Sequence, residues 1–151
     1  MIKILFITAL AVISFYDIKK KKIPNLYILM IIVLAIIDAI LIGKWDLPCR
    51  AMGMLCVSVP LLVVAVITKG AFGGGDIKLM AAGGFFLGWR LILAAAVIAF
   101  MAAGIYGTAL LVIKRGAKKN EIAFGPFLCV GMAVSLVAGN QLIQWYLNLP
   151  L

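Results

Sequence analysis

The chain has 151 residues, 66% of them hydrophobic, and carries a net charge of +9 from 14 basic and five acidic residues with no histidine. An apolar share so far above the roughly 45–50% of soluble domains describes a membrane protein, and the missing histidine excludes Ser-His-Asp and Cys-His nucleophiles, the imidazole proton shuttle and most transition-metal sites. Cys49, Cys56 and Cys129 form no C-x-x-C pair, so packing roles are expected of them, and neither a metal nor a cofactor is expected.

Charged and glycine-rich breaks leave six apolar stretches, 2–16, 26–43, 51–68, 77–89, 91–113 and 122–146. They predict an all-α polytopic membrane protein, a bundle of six transmembrane helices forming one domain over residues 1–151. In the first stretch Lys3, an apolar core and Ala9-Leu10-Ala11 mimic a cleaved signal peptide. The run Lys19 to Lys22 argues instead for a retained helix, because it holds the far end of the segment in the cytoplasm. A hydrocarbon core of about 30 Å needs about 20 helical residues, so this helix is expected to continue past Asp17 while the lysine stems snorkel to the headgroups.

Pro24-Asn25 reads as the start of the second helix with Asn25 as N-cap, substrate contact being the other reading. Asp38, well inside that helix, is expected to hydrogen-bond a neighbouring helix or to face an outward water pocket. The fourth stretch is short and only Arg90 parts it from the fifth, which predicts a helical hairpin. Gly84-x-x-x-Gly88 and Ala103-x-x-x-Gly107 place small residues on one face, suited to close packing. Gly125-Pro126 is predicted to kink the sixth helix near its start. Asp46 and Glu121 read as solvated loop residues.

The basic residues lie in short runs between apolar stretches, which is a topology signal and argues against a nucleic-acid partner. Lys19 to Lys22, Lys69, Lys78, Lys114, Arg115, Lys118 and Lys119 fall on one side, and Lys3, Lys44, Arg50 and Arg90 on the other. The positive-inside rule then puts the richer side in the cytoplasm and both termini outside. The second and third helices cross and return, so Asp17 and Asp76 are brought to the same, cytoplasmic face.

Acids near hydrocarbon are costly and usually face a cavity, a partner or a reaction. Two aspartates sharing a site do not both ionise easily, so one can act as base while its neighbour acts as acid. That division allows direct hydrolysis of a peptide by water, with no covalent intermediate and no histidine or metal. Gly73, Gly74 and Gly75, just before Asp76, permit a close backbone approach such as an extended peptide needs. A glycine run that only breaks a helix at a loop is the alternative.

Gly73-Gly74-Gly75-Asp76-Ile77-Lys78 matches the G-x-G-D-x-K signature of type IV prepilin peptidases. Asp17-Ile18-Lys19-Lys20-Lys21-Lys22-Ile23-Pro24-Asn25 looks like that family's other block, an aspartate followed by basic residues and I-P-N. Ala123-Phe124-Gly125-Pro126-Phe127-Leu128 is similar to its P-F-G-P-F-L segment, with Ala123 where the family often has proline. The resemblance implies an intramembrane aspartic endopeptidase of the inner (plasma) membrane that removes the short basic leader of a prepilin or prepilin-like protein. Asp17 and Asp76 take the catalytic positions, and Gly73, Gly75, Lys78, Pro24, Asn25, Gly125 and Pro126 are the substrate-binding or site-shaping candidates. Larger members carry an N-terminal cytoplasmic portion with paired cysteines, associated with methylation of the new pilin N-terminus. Nothing in the chain matches it, so a compact, peptidase-only enzyme of the kind seen with tight-adherence pili is expected.

Two other functions use the same residues. A presenilin-like protease also uses a G-x-G-D aspartate, although the I-P-N block and the small size favour the prepilin class. A small proton-coupled transporter would use Asp17, Asp38 and Asp76 as relay groups. Lys78 is open to two readings, a topology anchor or a charge acting on the site or substrate. The partners expected are the prepilin and the lipid bilayer; the sequence does not indicate an oligomeric state.

Overall fold

A computed structural model describes residues 1–42, 46–69, 73–113 and 123–147. These form six helices, α1 (Ile2–Lys20), α2 (Asn25–Ile42), α3 (Leu47–Ile67), α4 (Gly74–Leu87), α5 (Trp89–Ile113) and α6 (Gly125–Leu147), with no strand among the described residues. Lys44, Lys114, Arg115, Lys118 and Lys119, which the topology reading used, and Glu121, read as a solvated loop residue, lie outside the described residues.

Each boundary has a local cause. As predicted, α1 runs on past Asp17, and it ends where Lys21 turns left-handed at φ 50° and donates its N–H to the Asp17 carbonyl at 2.7 Å. Lys19 and Lys20 sit in that last turn, where cations suit the negative end of the helix dipole. Helix α3 opens with Pro48 in its first turn and also holds Pro60 in its interior. The sequence reading passed over Pro60, which leaves the Cys56 carbonyl without its helical donor.

Two expected breaks fall differently. Gly88 divides α4 from α5, because its φ of 78° is open to glycine and strained for other residues, while Arg90 is already helical. Pro126 is the second residue of α6. In the first turn its missing N–H has no helical acceptor to lose, so Pro126 opens the helix and does not kink it.

Helix α4 is the centre of the bundle, packed against α2, α3, α5 and α6. Around it, α1 lies against α2 and α6, and α5 lies against α3 and α6. Leu79 and Met80 of α4 join Phe6, Leu10 and Ile13 of α1, Ile31 of α2, Ile92 of α5 and Leu128 and Met132 of α6 in a fully buried core. The outer faces are apolar too: Leu26, Leu41, Val66, Ile67, Val112 and Val137 are all exposed. A core inside and hydrocarbon-like surfaces outside describe a polytopic helical membrane protein. Helices α3, α5 and α6 each contain a stretch long and apolar enough to cross a bilayer. Helix α4, with 14 residues, spans only about 21 Å.

Small residues decide the crossing of α3 and α4. A Cβ at Gly84 would run into the Gly53 carbonyl, and one at Gly53 into the backbone of Gly84 and Gly88, so α3 and α4 touch main chain to main chain. This is the close packing predicted for Gly84-x-x-x-Gly88. The second small-residue pair behaves otherwise, for a Cβ at Gly107 would meet no atom within 4 Å.

Asp38 finds its hydrogen bond on α3. Arg50 Nη2 donates to Asp38 Oδ2 at 2.9 Å, and Nη1 donates to the carbonyls of Ala35 at 3.4 Å and Phe85 at 3.2 Å. One guanidinium therefore ties α2, α3 and α4 together. Removing one member of a nearly buried pair leaves the other charge uncompensated. Asp38→Ala is expected to lower stability by about 3 kcal/mol, and the Asp38→Leu/Arg50→Met double variant to recover most of that loss. Thermal unfolding in detergent measures both.

Candidate active site

The two aspartates approach from helices that do not come close as backbones. Phe6 of α1 stacks on Phe86 of α4 with ring centroids 4.0 Å apart and planes 5° apart. From Phe6 to Asp17 is eleven residues up α1, and from Phe86 to Asp76 is ten residues back along α4, distances of about 16 and 15 Å. Two antiparallel helices pinned by that stack therefore carry both carboxylates to the same level. Asp17 is 5% exposed and Asp76 8%, and the charge on Asp17 acts on Asp76.

The neighbours of the pair come from the three motif segments. Gly125, at the start of α6, donates its backbone N–H to Asp17 Oδ2 at 3.1 Å. Gly73 caps α4, and a Cβ there would lie 3.3 Å from Asp76 Oδ2, so its bare backbone leaves room beside that carboxylate. A Cβ at Gly75 would meet Ile23 at 3.1 Å, which sets the glycine segment against the α1–α2 turn. Gly74 faces open space. Lys78 Nζ donates to Asn25 Oδ1 at 3.3 Å, joining α4 to the first residue of α2. Lys78 and Asn25 thus bind each other, and Pro24 lies immediately before Asn25 in the turn that Ile23 braces. Pro126 is half-buried beside Gly125.

Two features of the site were not read from the sequence. Cys129, read as a packing residue, is buried one turn after Gly125, within electrostatic reach of both carboxylates. A cleft of about 570 Å³ opens at the α1–α2 turn, lined by Tyr16, Lys20, Lys22, Ile23, Pro24 and Asn25. In its wall Lys20 Nζ donates to the Tyr16 hydroxyl at 2.9 Å and lies over that ring, which packs against Tyr27 at 5.6 Å. The aromatic rings of Tyr16 and Tyr27 carry no pattern in the sequence that marks a cleft.

Among the described residues no group of three or more Cys, Asp or Glu side chains is placed to hold a metal ion. What the site does offer is two carboxylates, backbone donors and a mobile-proton chemistry of the acid and base kind.

Residues 4–108 match the type IV leader peptidase family. The chain belongs to this family. It is 33% identical over 153 residues to a prepilin leader peptidase/N-methyltransferase of Bacillus subtilis (strain 168), covering 98% of the chain and 60% of that relative. A protein of the same name from Legionella pneumophila is 35% identical over 80 residues, 53% of the chain and 28% of the relative. The Pseudomonas aeruginosa counterpart is 30% identical over 91 residues, 60% of the chain and 31% of the relative. The chain therefore spans about 60% of the length of the Bacillus relative, and less of the other two. No solved structure matches.

Proposed function

We propose that this protein is an intramembrane aspartic endopeptidase that cleaves the basic leader from type IV prepilins or prepilin-like proteins at the cytoplasmic face of the membrane. Family membership supports the substrate class. The observation that carries the mechanism is the convergence of two buried carboxylates, Asp17 from α1 and Asp76 from α4, at one level of the bundle.

In this reading the pair holds one proton between its two carboxyl groups. The ionised carboxylate takes a proton from water as its oxygen attacks the scissile carbonyl carbon, and the protonated partner gives its proton to the carbonyl oxygen. The resulting gem-diol collapses when a carboxyl proton passes to the amide nitrogen, the C–N bond breaks, and the remaining hydroxyl proton returns to the pair. Water is consumed, two peptides leave, and the pair again shares one proton. Gly73 and Gly74 supply the bare backbone along which an extended substrate reaches Asp76. The neighbouring cleft is lined by Lys20 and Lys22, so like charge keeps the basic part of the leader out of it.

The lysines at the dyad end, Lys19 to Lys22, Lys69 and Lys78, favour a cytoplasmic site with both termini outside. A tag on either terminus should be removed by protease added to spheroplasts, and protection of both tags would reverse the orientation. The transporter reading loses its third relay group, because Asp38 is engaged by Arg50. A folded Asp38→Leu/Arg50→Met variant that still cleaves prepilin separates the two functions.

The deciding experiment is cleavage of a prepilin by purified enzyme in lipid vesicles, comparing Asp17→Asn and Asp76→Asn with the parent.

A further inference from the structure

We infer that Gly125 is a positioning residue for the reaction: its backbone N–H holds one oxygen of Asp17 and so fixes the carboxylate for proton transfer. The inference rests on the dyad reading and deepens it.

Asp17 lies near the end of α1, and the donor comes from the start of α6, 108 positions away, through a buried 3.1 Å bond to Oδ2. The first N–H groups of a helix have no acceptor inside that helix, so the Gly125 donor is free for a partner. It also sits at the positive end of the α6 dipole, where a carboxylate is favoured. Pro126 follows immediately and has no N–H of its own, which leaves Gly125 as the donor at this point of the chain.

The need for glycine here comes from space. Among the described glycines only Gly88 has a positive φ, so Gly125 adopts a conformation open to other residues. A Cβ at Gly125 would instead lie 2.5 Å from Asp17 Oδ2, 2.9 Å from its Cγ and 3.3 Å from its Cβ. Any side chain at this position would push the Asp17 carboxylate off the donor. The start of α6 is itself held, since Phe124 packs on Phe100 and Phe127 on Tyr106 of α5, at 5.6 and 5.4 Å between ring centroids. The donor therefore stands on a braced element and the carboxylate is the part that would move.

The consequence is a division of labour between the two oxygens of Asp17. Oδ2 is engaged by the backbone, and Oδ1 is left for the water and for the proton shared with Asp76. Asp76 is held differently, by the backbone of Gly73 one turn back in its own helix. One aspartate is thus set by its own helix and the other by a distant one, so the angle between α1 and α6 controls the geometry of the pair.

The test measures prepilin cleavage in vesicles for the parent, Gly125→Ala, Asp17→Asn and a control, Gly104→Ala, whose new methyl would meet no atom within 4 Å. Gly125→Ala is expected to lower kcat about 100-fold with KM within about threefold, and to displace the pH–rate profile, since the donor acts on a titrating group. A second variant removes the donor without adding an atom to the site: glycolic acid in place of Gly125 turns the amide into an ester, with an expected loss of about tenfold or more in kcat. This variant keeps the question answerable if Gly125→Ala does not fold. Near-parental cleavage by the folded ester variant overturns the inference, and so does a fall in rate with the pH profile in place, which marks a scaffold role only. If Asp17→Asn itself cleaves normally, the dyad reading is what has failed. If Asp17→Asn is inactive and the ester variant is normal, the dyad stands and Gly125 has no positioning role.

Discussion

Asp17→Asn and Asp76→Asn are each expected to lower prepilin cleavage at least about 1,000-fold while leaving the bundle folded. General acid–base groups contribute about 10²–10⁴-fold each, and here each aspartate sets the protonation state of the other, so losing one disables both. The double variant should accordingly be no slower than the singles, as is seen where residues act as a unit. Folding is spared because asparagine has nearly the shape of aspartate, and the amide oxygen in Asp17→Asn still accepts the Gly125 N–H. The parent should give a bell-shaped pH–rate profile whose two limbs belong to the pair and not to either residue. Near-normal cleavage by either variant would mean that the water is activated elsewhere.

A large structural effect is expected at the crossing of α3 and α4, where two glycines face main chain. Gly84→Ala places a methyl against the Gly53 carbonyl and Gly53→Ala places one against the backbone of Gly84 and Gly88. Helix propensity favours alanine by roughly 1 kcal/mol, so a simple reading has both variants more stable. The contact reverses the sign: the neighbour is main chain, which has no rotamer to escape into, and the helices must separate. A net loss of about 3 kcal/mol is expected for each, at the upper end of the usual overpacking cost. The loss should be larger for Gly84→Leu. Thermal unfolding in detergent decides it, with Gly104→Ala and Gly107→Ala as controls that meet open space and should, by propensity alone, raise stability by up to about 1 kcal/mol. Because α4 also carries Asp76 and packs on four other helices, parting it from α3 should cost activity along with stability.

The chain's own residues were enough for six helices, for the continuation of α1 past Asp17 and for the meeting of Asp17 with Asp76. Those follow from partition into hydrocarbon, helix length and the parity of crossings, which are properties of the segments and of their order along the chain. The motif blocks added the family. The partners of individual groups were not legible in the same way. Asp38 was expected to find a hydrogen bond, yet Arg50 as its donor depends on how α2, α3 and α4 stand against one another. Pro126 was read as a kink because its place within α6 was not known, and Gly88 was read for packing alone while the break was given to Arg90.

The small residues divide along the same line. Gly84 and Gly107 sit in the same kind of small-x-x-x-small spacing, and one meets another main chain while the other meets nothing. Spacing says which helix face is able to approach a neighbour; the arrangement of all six helices says which face has one. In the same way the sequence by itself determined that this is a helical membrane protein of the type IV leader peptidase family, and it predicted that two of its acids lie together. Only the tertiary structure decided that Gly125, 108 positions from Asp17, holds its carboxylate, because that bond joins two helix ends whose meeting is a property of the packed bundle and of no segment within it.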